Sequence, residues 1–167
     1  MDLQKKLSQH FSIGEFLPAG CTSVTTQVEQ ELTDLCVELL EPIRSEFGPL
    51  IIHSGYRPVS LNSQVGGVRG SDHTRGKAAD FHVMTNDVRS WEDLTQAAYH
   101  WAVENLSGKY GQVILEDHRQ HYDSPAKLWV HISTPSAKHP GTSSDRNSTL
   151  RSEEHTSELQ SRQYLVC

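Results

Sequence analysis

The stretch "GSDHTRGKAADFHV", residues 70–83, sets two histidines and two aspartates among glycines ahead of an apolar run. Neutral imidazole and carboxylate are the usual ligands of a catalytic zinc, which takes three protein ligands and keeps one position open. His73 lies in the glycine-rich part and Asp80 seven residues on, inside the run that reads as a strand. Side chains alternate faces along a strand, so Asp80 shares a face with Ala78 and His82 while Ala79, Phe81 and Val83 face the other way. A second run near the end of the chain, "KLWVHIST" (127–134), repeats the arrangement. There His131 shares a face with Trp129 and Ser133, opposite Leu128, Val130 and Ile132. A histidine in a strand is more often a hydrogen-bonded core residue than a ligand, and the spacing alone leaves both readings open.

These residues need a scaffold. "PLIIHSGYR" (49–57) reads as a buried strand opening into a loop, and "LNSQVGGVRGSDHTRGK" (61–77) as loop leading into the strand 78–83. "GQVILE" (111–116) and the run 127–134 are consecutive strands joined by a polar connection. Thr26-Gln-Val-Glu29 fits a capping box at a helix start. Val28, Leu32, Leu35, Val37, Leu39, Leu40 and Ile43 then follow at helical spacing, with Cys36 as a small core residue and Pro42 bending or ending the regular part. Ser90 to Asp93 caps a second helix with Leu94, Ala97, Ala98, Trp101 and Leu106 inward. "HFSIGEFL" (10–17) is expected to be a short edge segment. This order of elements predicts an α+β fold with a small, mainly antiparallel sheet flanked by helices.

The combination "SGYRPVSLNSQVGG…GSDHTRGKAADFHV…QVILE…LWVHIS" resembles the zinc peptidases that include D-Ala-D-Ala carboxypeptidases and L-alanyl-D-glutamate endopeptidases, whose fold is shared with the Hedgehog signalling domain. The family pattern Ser-x-His-x6-Asp, followed by a distant Trp-x-His strand, is matched at Ser71, His73, Asp80, Trp129 and His131. The lead-in "HFSIGEF" and the helix ending "LLEPIR" are similar to the phage-type branch. The resemblance spans roughly residues 8–135. It implies a Hedgehog/DD-peptidase-like fold, a Zn2+ cofactor, and His73, Asp80 and His131 as its ligands.

It also implies roles for other residues. Many family members carry the general base three residues before the last histidine, where this chain has Leu128. The phage-type branch more often shows a glutamate ending the preceding strand, so Glu116 is taken as the catalytic carboxylate, with Asp117 and Asp123 as rivals. Arg57 matches the arginine that holds a substrate oxygen, a task suited to a planar guanidinium fork. Ser71 is expected to brace the site or contact substrate. His82 shares the Asp80 face and could support it, whereas His53, His118 and His121 read as ordinary histidines. Gly66, Gly67, Gly70 and Gly76 are expected to give the ligand loop its positive φ angles.

At 167 residues one domain suffices, and its expected limits are 1–135. Residues 136–167 are rich in Ser, Thr, Arg, Glu and Gln and are expected to be a disordered tail. Within it, "RSEEHTSELQS" (151–161) resembles the translation of a sequencing-adapter oligonucleotide, so 151–167 is read as artefactual. Cys21, Cys36 and Cys167 form no paired pattern. The net charge of −6 and the lack of basic clusters argue against a nucleic-acid partner. No apolar run is long enough for membrane insertion, and the N-terminus lacks the apolar core of a signal peptide.

The expectation is a zinc-dependent hydrolase cutting an amide in peptidoglycan stem peptides as a monomer. It would be a phage or prophage lysin made in the cytoplasm and acting at the wall after release, or virion-associated. The alternative is a non-catalytic, zinc-stabilised wall-binding or virion structural module on the same fold.

Overall fold

The computed structural model describes residues 1–85, 90–117, 128–137, 149–151 and 162–166, the last two segments as backbone. Its centre is an antiparallel sheet. Strands β1 (Leu50–Ser54), β2 (Ala78–Val83), β3 (Gln112–Asp117) and β4 (Leu128–Ser133) lie in the order β1-β2-β4-β3. The last of these four in sequence, β4, thus enters between β2 and its own hairpin partner β3, facing Asp80 with His131 and Glu116 with Trp129. The α+β class and the antiparallel sheet agree with the sequence expectation. Two short strands, β5 (Thr149–Arg151) and β6 (Arg162–Val166), continue the sheet beyond β3. They fall inside the stretch expected to be a tail, where the sequence shows no periodicity of its own.

The apolar face of the sheet is filled by helices. Helix α1 (Thr26–Leu35) passes through a π turn (Cys36–Leu40) into α2 (Glu41–Phe47), and α4 (Trp91–Asn105) lies across β2, β4 and β3. Leu32, Leu35, Leu39, Leu40 and Ile43 are fully buried with Phe81, Val130 and Ile132. Phe47 meets Trp101 edge to face. Val37 and Ala97, expected in these apolar faces, point to solvent instead. The π turn lies just ahead of Pro42, whose missing N–H leaves the carbonyl four residues earlier without its normal donor. The buried residues Leu32, Leu35, Cys36, Leu39, Leu40 and Ile43 keep three- and four-residue spacing through the turn, which leaves Val37 on the solvent side. Pro42 does not end the helix; the irregular turn precedes it, and the chain continues as α2.

Other expectations shift in detail. The first cap is Thr25, whose hydroxyl accepts from the Val28 N–H, one residue before the expected box. A carboxylate-to-backbone bond of the box type occurs earlier, from the Ser12 N–H to Glu15. Residues 13–16 form a 3-10 turn rather than an edge strand, because Phe11, Ile13 and Phe16 all point into the core. Ser90 caps α4 as expected. β1 is an edge strand with only Leu50 buried, not a buried one. The stretch 61–77 is not all loop: α3 (Val59–Gln64) and a 3-10 turn (Asp72–Arg75) interrupt it.

Candidate metal centre and cleft

The other face of the sheet presents the polar residues. The chain leaving β1 turns at Gly55, where an added Cβ would stand 2.6 Å from Phe16 Cβ. Only glycine lets the buried Phe16 and this turn pack so closely. The turn is held on both sides, by Tyr56 N–H to the Phe16 carbonyl and Arg57 N–H to the His73 carbonyl. The 3-10 turn carrying His73 then ends at Gly76, whose φ of +76° is the left-handed conformation that favours glycine. Gly66 and Gly70 also have positive φ. Gly67 does not, and is small for a different reason: an added Cβ would collide with the Asn62 side chain.

His73 is buried, and its Nδ1 lies 2.7 Å from the Gly55 carbonyl. A carbonyl only accepts, so Nδ1 must carry the hydrogen and Nε2 the free lone pair. This is the arrangement that orients a ligating imidazole. Nε2 faces His131 Nδ1 at 3.2 Å and Asp80 Oδ1 at 3.3 Å, and the last two stand 2.8 Å apart. Among the described residues these three form the one group of His, Cys, Asp and Glu side chains that could hold a metal ion.

The donor atoms can be tested against zinc. Tetrahedral coordination at about 2.0–2.2 Å separates its donors by roughly 3.3–3.5 Å. The two His73 edges are close to that spacing, and the His131–Asp80 edge is shorter, as a direct hydrogen bond. Two imidazoles and a carboxylate facing a cleft also leave one coordination position for solvent or substrate. The set fits zinc.

Burial alone would push the Asp80 carboxyl up. Hydrogen bonding by His131 and the neighbouring His73 outweighs it, holding the carboxyl well below the usual range. Asp80 is therefore an anion in this environment, as a ligand must be.

A cleft of about 350 Å³ opens over the triad. Arg57, Ser71, Asp72, Glu116 and Trp129 line it together with the three triad residues. Glu116 reaches it because its strand position alternates with the buried Val113 and Leu115, as do those of Gln112 and Ile114. Leu128, three residues before His131, is 1% exposed on the opposite face of β4. Its place in the core leaves no carboxylate position there. The buried Nε of Arg57 has no hydrogen-bond partner among the described residues.

Asp72, Val68, Gln112 and Ile114 were not singled out in the sequence, yet all line the cleft. For Asp72 a signal existed: Arg75 three residues on, within the same turn, pairs with its carboxylate. His82 does not support Asp80. It stacks on His53, with ring centroids 4.6 Å apart and ring nitrogens at 2.6 Å. Burial first, and the charge of His53 second, push its pKa down. His118, His121 and Asp123 lie outside the described residues, and Asp117 is described only as backbone. Cys21 and Cys36 are free thiols.

A sequence-family model, Peptidase M15, matches residues 9–114. The chain belongs to the Peptidase M15 family. The match takes in Arg57, Ser71, His73 and Asp80 and ends before Glu116 and His131. Peptidase M15 is a zinc-dependent family of hydrolases, which agrees with a His73–Asp80–His131 group able to hold zinc. Membership in Peptidase M15 points to a peptide substrate of the peptidoglycan type. No curated protein matches the chain. No helix among the described residues is long and apolar enough to cross a membrane.

Proposed function

We propose that the chain is a zinc peptidase that hydrolyses one amide bond in bacterial peptidoglycan stem peptides. The observation that carries this reading is the convergence of His73, Asp80 and His131 at the floor of a cleft that Arg57 and Glu116 also line. A zinc ion held by two imidazoles and a carboxylate supplies Lewis acidity and makes water a usable nucleophile near neutral pH.

The remaining chemistry falls to the chain's own groups. Glu116 accepts the proton of the attacking water and returns it to the leaving amine, so that the C–N bond breaks to give a carboxylate and an amine. Arg57 offers its guanidinium to a substrate carboxylate or to the carbonyl oxygen as negative charge develops on it. Its unpartnered buried Nε suits either use. Ser71, buried at the start of the 3-10 turn, braces the ligand loop: its carbonyl accepts from the Thr74 N–H and hydroxyl.

The functional unit in this reading is residues 1–135, with 136–167 dispensable and 151–167 not part of the natural protein. The protein acts as a monomer on the wall, as a phage or prophage lysin released from the cytoplasm or carried on a virion, with no nucleic-acid partner. The phage assignment is supported by the resemblance of "HFSIGEF" and "LLEPIR" to the phage-type branch.

A second reading, a zinc-stabilised wall-binding module without activity, draws on Leu128, which stands where many family members carry the base. Mass spectrometry of purified peptidoglycan incubated with the zinc-loaded and the chelated protein separates the two. The peptidase releases a new amine and carboxylate terminus only with zinc, and the fragment masses identify the bond. Zinc binding with no peptide product on several wall types establishes the binding module.

A further inference from the structure

A second cleft of about 250 Å³ adjoins the first. Arg57 lines both, which makes it the wall between them. The two share a further boundary, a continuous piece of chain. Leu61 and Val65, in and just after α3, line the second cleft, and Gly67, Val68 and Ser71 continue into the first. Tyr56, Leu17 and Pro18 supply apolar surface opposite. Val65 in the second cleft and Val68 in the first are 56% and 63% exposed, two branched apolar side chains facing solvent three residues apart. Singly exposed apolar residues need no explanation, but several grouped along a cleft mark a binding surface.

We infer that the second cleft is the binding site for the peptide arm of the substrate that extends past Arg57, away from the metal triad, and that it selects small apolar side chains there. This rests on the peptidase reading. The occupant follows from the arrangement. A peptide whose scissile amide lies over the triad and whose carboxylate or carbonyl meets Arg57 must continue either into solvent or into the adjoining cleft. That cleft offers Val65, Leu61, Leu17 and Pro18 as contacts for methyl-sized groups. Its polar groups are Ser54 and His53 on the edge strand β1, Arg57, and Glu15, whose carboxylate already accepts from the Ser12 N–H. Arg57 then has two tasks, charge stabilisation on one side and registration of the peptide on the other.

The test uses a short and a long form of one synthetic stem peptide with the same scissile amide, the long form extended by alanine residues past the Arg57 position. Binding is followed by NMR shifts of the zinc-loaded Glu116→Gln protein, and cleavage with the unaltered protein and with Val65→Trp, a substitution at an exposed position. The long form is expected to shift Tyr56, Leu61 and Val65, which the short form leaves in place. Val65→Trp is expected to lower kcat/KM for the long form about tenfold more than for the short form. Equal effects on the two forms, or shifts confined to the metal cleft, overturn the inference and leave the peptidase reading standing. If neither form binds or is cut, both fall together.

Discussion

The two faces of the sheet are built from the same strands and differ in what alternation puts on each. On one face Phe81, Val130, Ile132, Val113 and Leu115 meet the helices, fully or almost fully buried. On the other, the residues between them, Asp80, His131, Ile114 and Glu116, line an open cleft. The first face is forgiving in kind, since any well-packed apolar set would serve. The second is demanding: one residue out of step would send a ligand into the core. The proposed ligands Asp80 and His131 are directly paired across β2 and β4, so a slip in register would separate them.

The largest expected break in this contrast comes from His131→Ala or His73→Ala. Either should abolish turnover and lower zinc affinity by about 100-fold or more, read by competition with a chelator. Folding should persist, because the apolar face is untouched. Glu116→Gln comes next: kcat should fall by about 10²–10⁴-fold with zinc still bound, as expected for loss of a general base. Zinc content measured beside kcat separates the two classes of variant.

The apolar face gives the opposite kind of result. Leu128→Glu places a carboxylate at the position many family members use, but here inside the core. It should destabilise the protein by about 3 kcal/mol or more without raising activity, read by denaturant unfolding. A gain in rate would show that β4 can slip its register.

The smallest effect tests the scaffold remote from the cleft. Glu41 accepts from the Ser8 hydroxyl and from the backbone and ring of His10. Burial raises its pKa, and these bonds, led by His10, more than offset that and hold it below the usual range. A carboxyl whose folded pKa is depressed stabilises above its unfolded pKa and loses that contribution as pH falls through the folded value. Glu41→Gln should therefore cost about 1 kcal/mol at neutral pH. The difference from the unaltered protein should vanish as the solution is acidified below the ordinary carboxylate range.

How much of this was legible beforehand follows from which interactions are local. Strand alternation assigned Asp80 and His131 to polar faces correctly, because the two-residue period needs no tertiary information. Ser90 was readable as a cap for the same reason. Val37 was not read correctly: strict three- and four-residue spacing through Leu35, Cys36, Leu39 and Leu40 leaves it outside the buried stripe, apolar though it is. Nor was the short helix α3, whose glycine-rich continuation made the whole stretch read as loop. The Gly55 carbonyl that orients His73 is a backbone contact across eighteen residues, invisible to any pattern of side-chain types. Pairing of β4 between β2 and β3 had no signal either, since strand order is decided by packing over the helices.

The most direct test of the central claim is a zinc-edge X-ray absorption spectrum of the loaded protein beside that of His131→Ala. The account requires one zinc per chain with two imidazoles and oxygen donors, and the loss of one imidazole in the variant. Sulfur in the coordination shell, or a spectrum unchanged by the substitution, would place the metal elsewhere and contradict the assignment of the triad.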